Sequence, residues 1–373
     1  MGLSVIVIAY FLISIYLSRE LAGVLEIKAI KYKLIYYPAY FTLSMSYILS
    51  RLLATYSPND FTDVIALVGG HAIPTTFYAT IILIVYKSIQ FVYVKYSGQA
   101  QLLPPQFAFG LLVVALLAIN IYGVYNGTQH VTKVYDLEIN KNIPDTKIVI
   151  VSDLHLGKTT SRAYAEQLVA DINAQQPDLV FIVGDIIDSD LESVLRKDLL
   201  TPLSGIKSKD GVYAVLGNHE YISKRPMEII KLLGANNIKM LVDQQQEIKG
   251  RNISLIGLND IGRRSPDTRD EKTLQLLLSR IPSKNAVLLL DHQPKRIEIA
   301  SRNGIDLATS GHTHKGQYWP NGYITQALFL NDWGLKKFED MYSLVTCGYG
   351  NWGANMRMGS QVELVVVNLK GVM

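Results

Sequence analysis

Hydrophobic positions follow two regimes along the chain. In the first third they form long runs, at roughly 3–17 (LSVIVIAYFLISIYL), 35–55, 76–95 and 107–125 (FAFGLLVVALLAINIYGVY). A helix needs about 20 mostly apolar residues to cross a bilayer, and the fourth run meets that cleanly. The first is short enough to read as a signal peptide, yet it lacks a basic start and a small-x-small cleavage site, and more apolar runs follow. Pro38, Ser44, Ser46 and Arg51 interrupt the second run, and the third carries Lys87. The pattern predicts an N-terminal four-helix transmembrane region over 1–125; two or three spans, or a soluble bundle of buried apolar helices, are the alternatives.

From about Val131 the texture changes. A linker and first strand are expected over 126–145, then an α/β domain over 146–373. KIVIVSDLHLG reads as a buried strand entering a loop, and SRAYAEQLVADINAQQ has helical spacing. DLVFIVGDIID and GVYAVLGNHE are further strands, and RPMEIIKLLGANN is a helix. RNISLIGLND, NAVLLLDHQP and DLATSGHTH again run from strand to loop. Continuous apolar strands alternating with helices imply sheets covered on both faces.

Charge separates the same two regions. Only seven of the 36 Lys/Arg and four of the 32 Asp/Glu lie within residues 1–125. The remainder is nearly balanced, so the net charge of +4 marks no large basic surface. Nucleic-acid binding, which needs a clustered phosphate-neutralising patch, is disfavoured. The single cysteine, Cys347, excludes an intrachain disulfide and a cysteine zinc site. Arg19, Lys28, Lys31 and Lys33 crowd the first inter-run loop, the stretch from Leu52 to Thr75 has no Lys or Arg, and Lys87 and Lys95 end the third run. The excess of basic residues in cytoplasmic loops then puts both termini outside, with a multi-pass chain in the cell membrane and its α/β domain on the extracytoplasmic side.

Five strands end in one kind of residue: Asp153 and His155 in SDLHLG, Asp185 and Asp188 in GDIID, Asn218 and His219 in GNHE, His292 in DHQP, and His312 with His314 in GHTH. Ligands of open α/β sheets gather outside the carboxyl ends of strands. Five of the seven histidines fall in these motifs, a sorting that core packing would not produce. Carboxylate, imidazole and amide oxygen suit divalent Mn, Fe, Zn or Co, and one carboxylate can bridge two such ions. Glycines before Asp185, Asn218 and His312 fit loops that need positive φ or a close backbone approach.

The order D-x-H, GDxxD, GNHE, a lone His and GHTH, spread over some 160 residues, resembles the calcineurin-like metallophosphoesterase family. That resemblance implies a four-layer α/β/β/α sandwich and a centre of two divalent metal ions. It implies a first metal on Asp153, His155 and His314, a second on Asn218, His292 and His312, and Asp185 between them. His219 would then be the proton donor to the leaving oxygen or a clamp on the phosphoryl group, and water activated by the metals would be the nucleophile. Asp188 is read as orienting its neighbours or as solvated, Glu220 as structural, Asp291 as a bystander, and His71 and His130 as non-ligands. Cys347 reads as a buried strand residue. Lys315 stands where a glycine is expected after GHTH and either touches a phosphate or points to water.

Phosphorus chemistry does not name the substrate. The architecture, with the late motif GYGNWGANMRMGSQVELVVVNL, resembles transmembrane proteins with a metallophosphoesterase domain and bacterial membrane-associated phosphodiesterases, which implies a membrane-anchored phosphoesterase with membrane lipid beside it and a phosphoester, lipid-like or from the cell envelope, as substrate. A lipid pyrophosphatase of the UDP-diacylglucosamine hydrolase type and a non-catalytic receptor or scaffold binding a phosphorylated partner are the alternatives. The segment YWPNGYITQALFLNDWGLKK combines aromatic, aliphatic and basic residues suited to a headgroup boundary; an ordinary loop with its apolar side chains packed inward is the other reading.

Overall fold

In the computed structural model, which describes residues 2–372, the chain divides between Val124 and Tyr125 into two compact units. The first is built from α1 (Gly2–Val24), α2 (Ile30–Ser44), α3 (Ser46–Tyr56), α4 (Asp60–Ser97) and most of α5 (Pro105–Thr128). Three of these, α1 over Val7–Val24, α4 and α5, are long and apolar enough to cross a membrane.

The second expected span differs. The run breaks at Met45 into α2 and α3, of 15 and 11 residues, each below the about 20 needed for one crossing. Pro38 sits inside α2 with no amide to donate. Ser44 and Ser46 turn their hydroxyls onto the carbonyls of Phe41 and Leu43, competing with the helical ladder at the break. The stretch from Leu52 to Thr75, read as a loop, is mostly helix because α4 starts at Asp60. Asn59 and Thr62 cap it reciprocally, and Asp60 and Asp63 lie in the first turn, where the helix dipole favours negative charge. The third apolar run is therefore the second half of a 38-residue helix.

Within this unit α2 lies antiparallel along α1. Tyr36 donates to the Ser18 carbonyl at 2.9 Å and Tyr10 to the Ser44 carbonyl at 2.7 Å. In α4, Gly69 lies against the Tyr47 backbone too closely for any Cβ. Farther along α4, Lys87 meets Glu20 of α1 at 2.6 Å.

The second unit contains strands β1 (His130–Ile139), β2 (Thr146–Val151), β3 (Leu179–Val183), β4 (Val212–Val215), β5 (Ile238–Met240), β6 (Gln244–Ile248), β7 (Ile253–Gly257), β8 (Ala286–Leu290), β9 (Leu307–Ser310), β10 (Gly334–Phe338), β11 (Met341–Val345) and β12 (Val362–Gly371). They form two sheets, in the orders β1-β12-β2-β3-β4-β5 and β10-β11-β9-β8-β7-β6. Strands β2 to β5 run parallel, as do β11, β9, β8 and β7. β12 closes the chain between β1 and β2, parallel to the first and antiparallel to the second. Helices α6 (Arg162–Ala174), α7 (Leu191–Arg196), α8 (Asn218–Ile222), α9 (Pro226–Ala235), α10 (Thr268–Leu278), α11 (Ile297–Arg302) and α12 (Gly322–Leu328) connect them.

Side chains of a strand alternate between faces, and here both faces are covered. Ile148, Ile150, Phe181 and Val183 of the first sheet meet Leu255, Leu288, Leu290 and Leu307 of the second between the sheets. Their neighbours Val149, Val151, Val180 and Ile182 face the other way, against Leu168, Ile172, Val194 and Leu233 of α6, α7 and α9. On the far side, Ile256 and Leu289 pack on Leu274 of α10 and Ile297 of α11. The unit is thus the α/β/β/α sandwich that the sequence implied, and the unbroken apolar strands are those buried on two sides.

Candidate metal centre

Each strand-end motif lies where a parallel strand stops. Asp153 and His155 follow β2, Asp185 and Asp188 follow β3, and Asn218 and His219 open α8 just after β4. His292 follows β8, and His312 and His314 follow β9. The structure brings loops of both sheets together. Ligand atoms of Asp153, His155 and His314 lie within 4.8 Å of one another, as do those of Asp185, His292 and His312. A third such group, His155, Asp185 and His219, joins the two. Asn218 stands next to His219, and its side-chain oxygen is buried without a hydrogen-bond partner.

The backbone is strained at this centre. Asp153 (φ 54°), His155 (46°), Asp185 (50°), His312 (72°) and His314 (48°) all occupy the left-handed region, at a cost of about 1–3 kcal/mol each. The glycines matter mainly through close approach. A Cβ on Gly217 would collide with the Asp185 carboxylate, and one on Gly311 with Ser152 and Asp153. Gly184, at φ 79°, needs both its conformation and its missing side chain, since a Cβ there would meet the His292 ring.

Hydrogen bonds hold the loops. Both Asp153 oxygens accept from the His312 amide, at 3.1 and 3.0 Å, and Asp185 accepts from the His219 amide at 2.8 Å. Glu220, fully buried, accepts from the amides of Asp185 (3.1 Å), Ile187 (2.9 Å) and Gly217 (2.7 Å). One carboxylate thereby ties the loop after β3 to the loop after β4, the structural role read for it. Asp188 accepts from, or shares a proton with, Nδ1 of His219 at 2.9 Å, so it orients that ring.

The electrostatics fit a cation. Nδ1 of His292 faces the Val183 carbonyl at 2.8 Å and must donate to it. Its Nε2 then carries a lone pair, 3.2 Å from Oδ2 of Asp185, yet forms no hydrogen bond. Two acceptors facing each other need a proton or a metal ion between them. Burial opposes charge on His292, but Asp185 and then Asp153 outweigh it and raise its pKa well above the usual value. Burial likewise works against Asp185, and His292 overcomes it, drawing that carboxyl well below the ordinary range. Asp153 is pushed up to about 6 by burial, with Asp185 adding to the effect. Burial, aided by neighbouring histidines, lowers His155 to about 4 and His312 to about 3. It holds His314 well below its usual value too, helped by His155 and Arg357. These rings are neutral at physiological pH, the state that binds metal. His219, like His292, is raised: burial lowers it, but the Asp188 hydrogen bond prevails and brings it up to about 9.

Arg357 escaped the sequence reading. It is fully buried. Its guanidinium bonds to Asn351 Oδ1 (3.0 Å) and the Gly350 carbonyl (2.6 Å), and one nitrogen lies 3.2 Å from Nδ1 of His314. A cation there disfavours a charged His314. The only signal in the sequence is a lone basic residue within GYGNWGANMRMGS.

The remaining residues stand apart. Asp291 pairs with Arg296 at 2.5 Å. His130 stacks on Tyr349 with ring centroids 4.1 Å apart, and His71 lies within α4. Cys347 is buried, but just beyond β11 rather than in a strand, and burial pushes its thiol up to about 12. Lys315 points to neither reading of it: its ammonium lies 3.7 Å over the Trp333 ring.

The sequence model described as Calcineurin-like phosphoesterase matches residues 146–316. A Campylobacter jejuni protein, an uncharacterized metallophosphoesterase, is 33% identical over 274 residues, covering 70% of each chain. A Helicobacter pylori metallophosphoesterase is 30% identical over 259 residues, 69% of this chain and 68% of its own. The Danio rerio transmembrane protein with metallophosphoesterase domain is 30% identical over 281 residues, 71% of this chain and 63% of that one. The chain belongs to the calcineurin-like metallophosphoesterase family and is a metal-dependent phosphoesterase.

Two expectations arise from this geometry. Glu220→Ala strands three buried amides, so it lowers unfolding free energy by about 3 kcal/mol or more in urea titrations; an effect below about 1 kcal/mol would contradict the clasp. The second concerns pH. A carboxyl raised on folding binds its proton more tightly when folded, so the metal-free chain loses Asp153's contribution as pH rises from 3.8 to about 6. A divalent cation replaces that proton. The gain in melting temperature on adding Mn²⁺ should therefore grow between pH 5 and 7, and a gain that shrinks over this range refutes the assignment.

Proposed function

We propose that this chain is a membrane-anchored phosphoesterase with a two-metal centre, acting on a phosphodiester or phosphate monoester of lipid-like character. The observation that carries the reading is the pair of acidic and imidazole clusters joined through Asp185. In it Asp153, His155 and His314 would hold one divalent cation, Asn218, His292 and His312 would hold the other, and Asp185 would serve both. Such cations, when bound, neutralise phosphoryl oxygens and lower the pKa of water. His219 supplies the complementary proton. Asp188 fixes its Nδ1 side, and Nε2 lies 4.0 Å from Asp185 on the side of the centre. The water gives up one proton to solvent as its oxygen bonds to phosphorus and the bond to the ester oxygen breaks; Nε2–H of His219 protonates the departing oxygen, and the ring regains its proton from solvent.

The His219–Asp188 pair favours turnover over mere capture of a phosphorylated partner, because binding alone has no use for a held proton donor. Full-length protein with Mn²⁺ should hydrolyse bis-p-nitrophenyl phosphate. His219→Ala should lower kcat by 10²–10⁴-fold, the usual range for general acid catalysis, with Mn²⁺ still bound. Turnover unchanged in His219→Ala would remove the proton-donor role; no turnover on any phosphoester by metal-loaded protein would remove the reading altogether.

Contacts inside the helical unit support an extracytoplasmic placement of the catalytic unit. Arg19, Lys28, Lys31 and Lys33 put the end of α1 in the cytoplasm. Lys87 of α4 meets Glu20 there, so α4 ends on the same side as α1. The chain between them must cross back, and α2, antiparallel to α1, continues through α3 as that broken crossing. With four crossings, the catalytic unit would lie outside the cytoplasm. An alkaline phosphatase reporter fused after Met373 should be active and a green fluorescent protein fusion dark; the opposite pattern reverses this topology.

A further inference from the structure

The segment after the GHTH loop exposes its apolar side chains. No residue of α12 is buried, and Trp319, Tyr323, Ile324, Leu328 and Leu330 are each more than half exposed. Tyr323 and Ala327, and Ile324 and Leu328, are spaced four apart and share one helical face. The opposite side is anchored: Thr325 donates to the Asp332 carboxylate at 2.9 Å, and Thr313 to the Asp332 carbonyl at 2.6 Å. The apolar face therefore cannot turn inward without breaking its own attachment. Large aliphatic and aromatic side chains clustered on a surface mark an interaction site.

We propose that this lip, residues 319–330, rests in the headgroup region of the bilayer and admits membrane phospholipid to the metal centre. The inference deepens the reading of the chain as a membrane-anchored phosphoesterase and depends on it. Three observations select a bilayer over a second copy of this chain. The chain enters the catalytic unit straight from a membrane-length helix, α5 ending at Thr128 and β1 beginning at His130. Trp and Tyr at the lip, with an apolar body and a polar tip, are the side chains favoured at the membrane–water boundary. Exposed Lys336 and Lys337 lie just beyond the lip, long cationic side chains of the kind that lay their stems along the membrane interface and keep their heads among the headgroup phosphates. The lip also adjoins the chemistry: the Phe329 ring lies 6.2 Å from that of His312, and Thr313 links the GHTH loop to its base. A phosphoester lifted past the lip meets the centre next.

The three tryptophans allow a test without turnover. Full-length protein is reconstituted into phosphatidylcholine vesicles with plain or acyl-brominated chains. In a W333F/W352F background, Trp319 should lose about half its emission or more in brominated vesicles, as expected for an aromatic ring at acyl-chain depth. In a W319F/W352F background, Trp333 should be unaffected, since it lies beneath Lys315 and donates to Glu363 at 3.3 Å. Adding Ile324→Asp with Leu328→Asp should restore Trp319 emission. Equal Trp319 emission in the two lipids, equal quenching of both tryptophans, or quenching untouched by the double substitution would overturn the proposal. Any of these results would leave hydrolysis of bis-p-nitrophenyl phosphate as it was, so the catalytic reading is judged separately.

Discussion

Two sheets with no shared ladder are fastened to each other at their carboxyl ends, and everything at the centre depends on that fastening. His292, after β8 of one sheet, donates through Nδ1 to the carbonyl of Val183, the last residue of β3 in the other. The His312 amide, after β9, reaches both oxygens of Asp153 after β2. Sliding one sheet along the other by a single residue, about 3.3 Å, would separate these pairs. The apolar layer between the sheets fixes spacing; the polar bonds at its edge fix register. Chemistry and architecture are therefore not separable here, because the same imidazole that faces Asp185 holds the sheets together.

This accounts for what could be read from residues alone. Fully buried parallel strands must be apolar nearly throughout, so KIVIV, LVFIV and AVLLL stood out, and Ser152, Gly184 and Asp291 directly after them mark the strand ends. The converging Asp, Asn and His side chains were all legible for that reason. The family resemblance added their division into two groups around Asp185. Their αL conformations were not legible, because Asp and His tolerate that region without requiring it.

The misreadings have physical causes too. Hydropathy averages over a window and does not see caps, so it missed that Asn59 starts α4 well before the apolar stretch at 76–95. It also smoothed across Met45, where serine hydroxyls compete for carbonyls. Composition at 318–337 fitted a buried loop as well as an exposed lip, and only the anchoring of Thr325 and Asp332 separates them. Arg357 was missed because a buried guanidinium satisfied by carbonyls needs no charged partner in the sequence to announce it.

The left-handed backbone at Asp153, His155, Asp185, His312 and His314 concentrates conformational cost in a few peptide units rather than spreading it through the strands. Local opening of these loops releases the cost that their backbone carries. The softest region of an otherwise rigid sandwich is then its reactive edge. Cargo held there acts as a mechanical latch, and amide exchange in these loops, not global unfolding, becomes the natural gauge of how full the centre is.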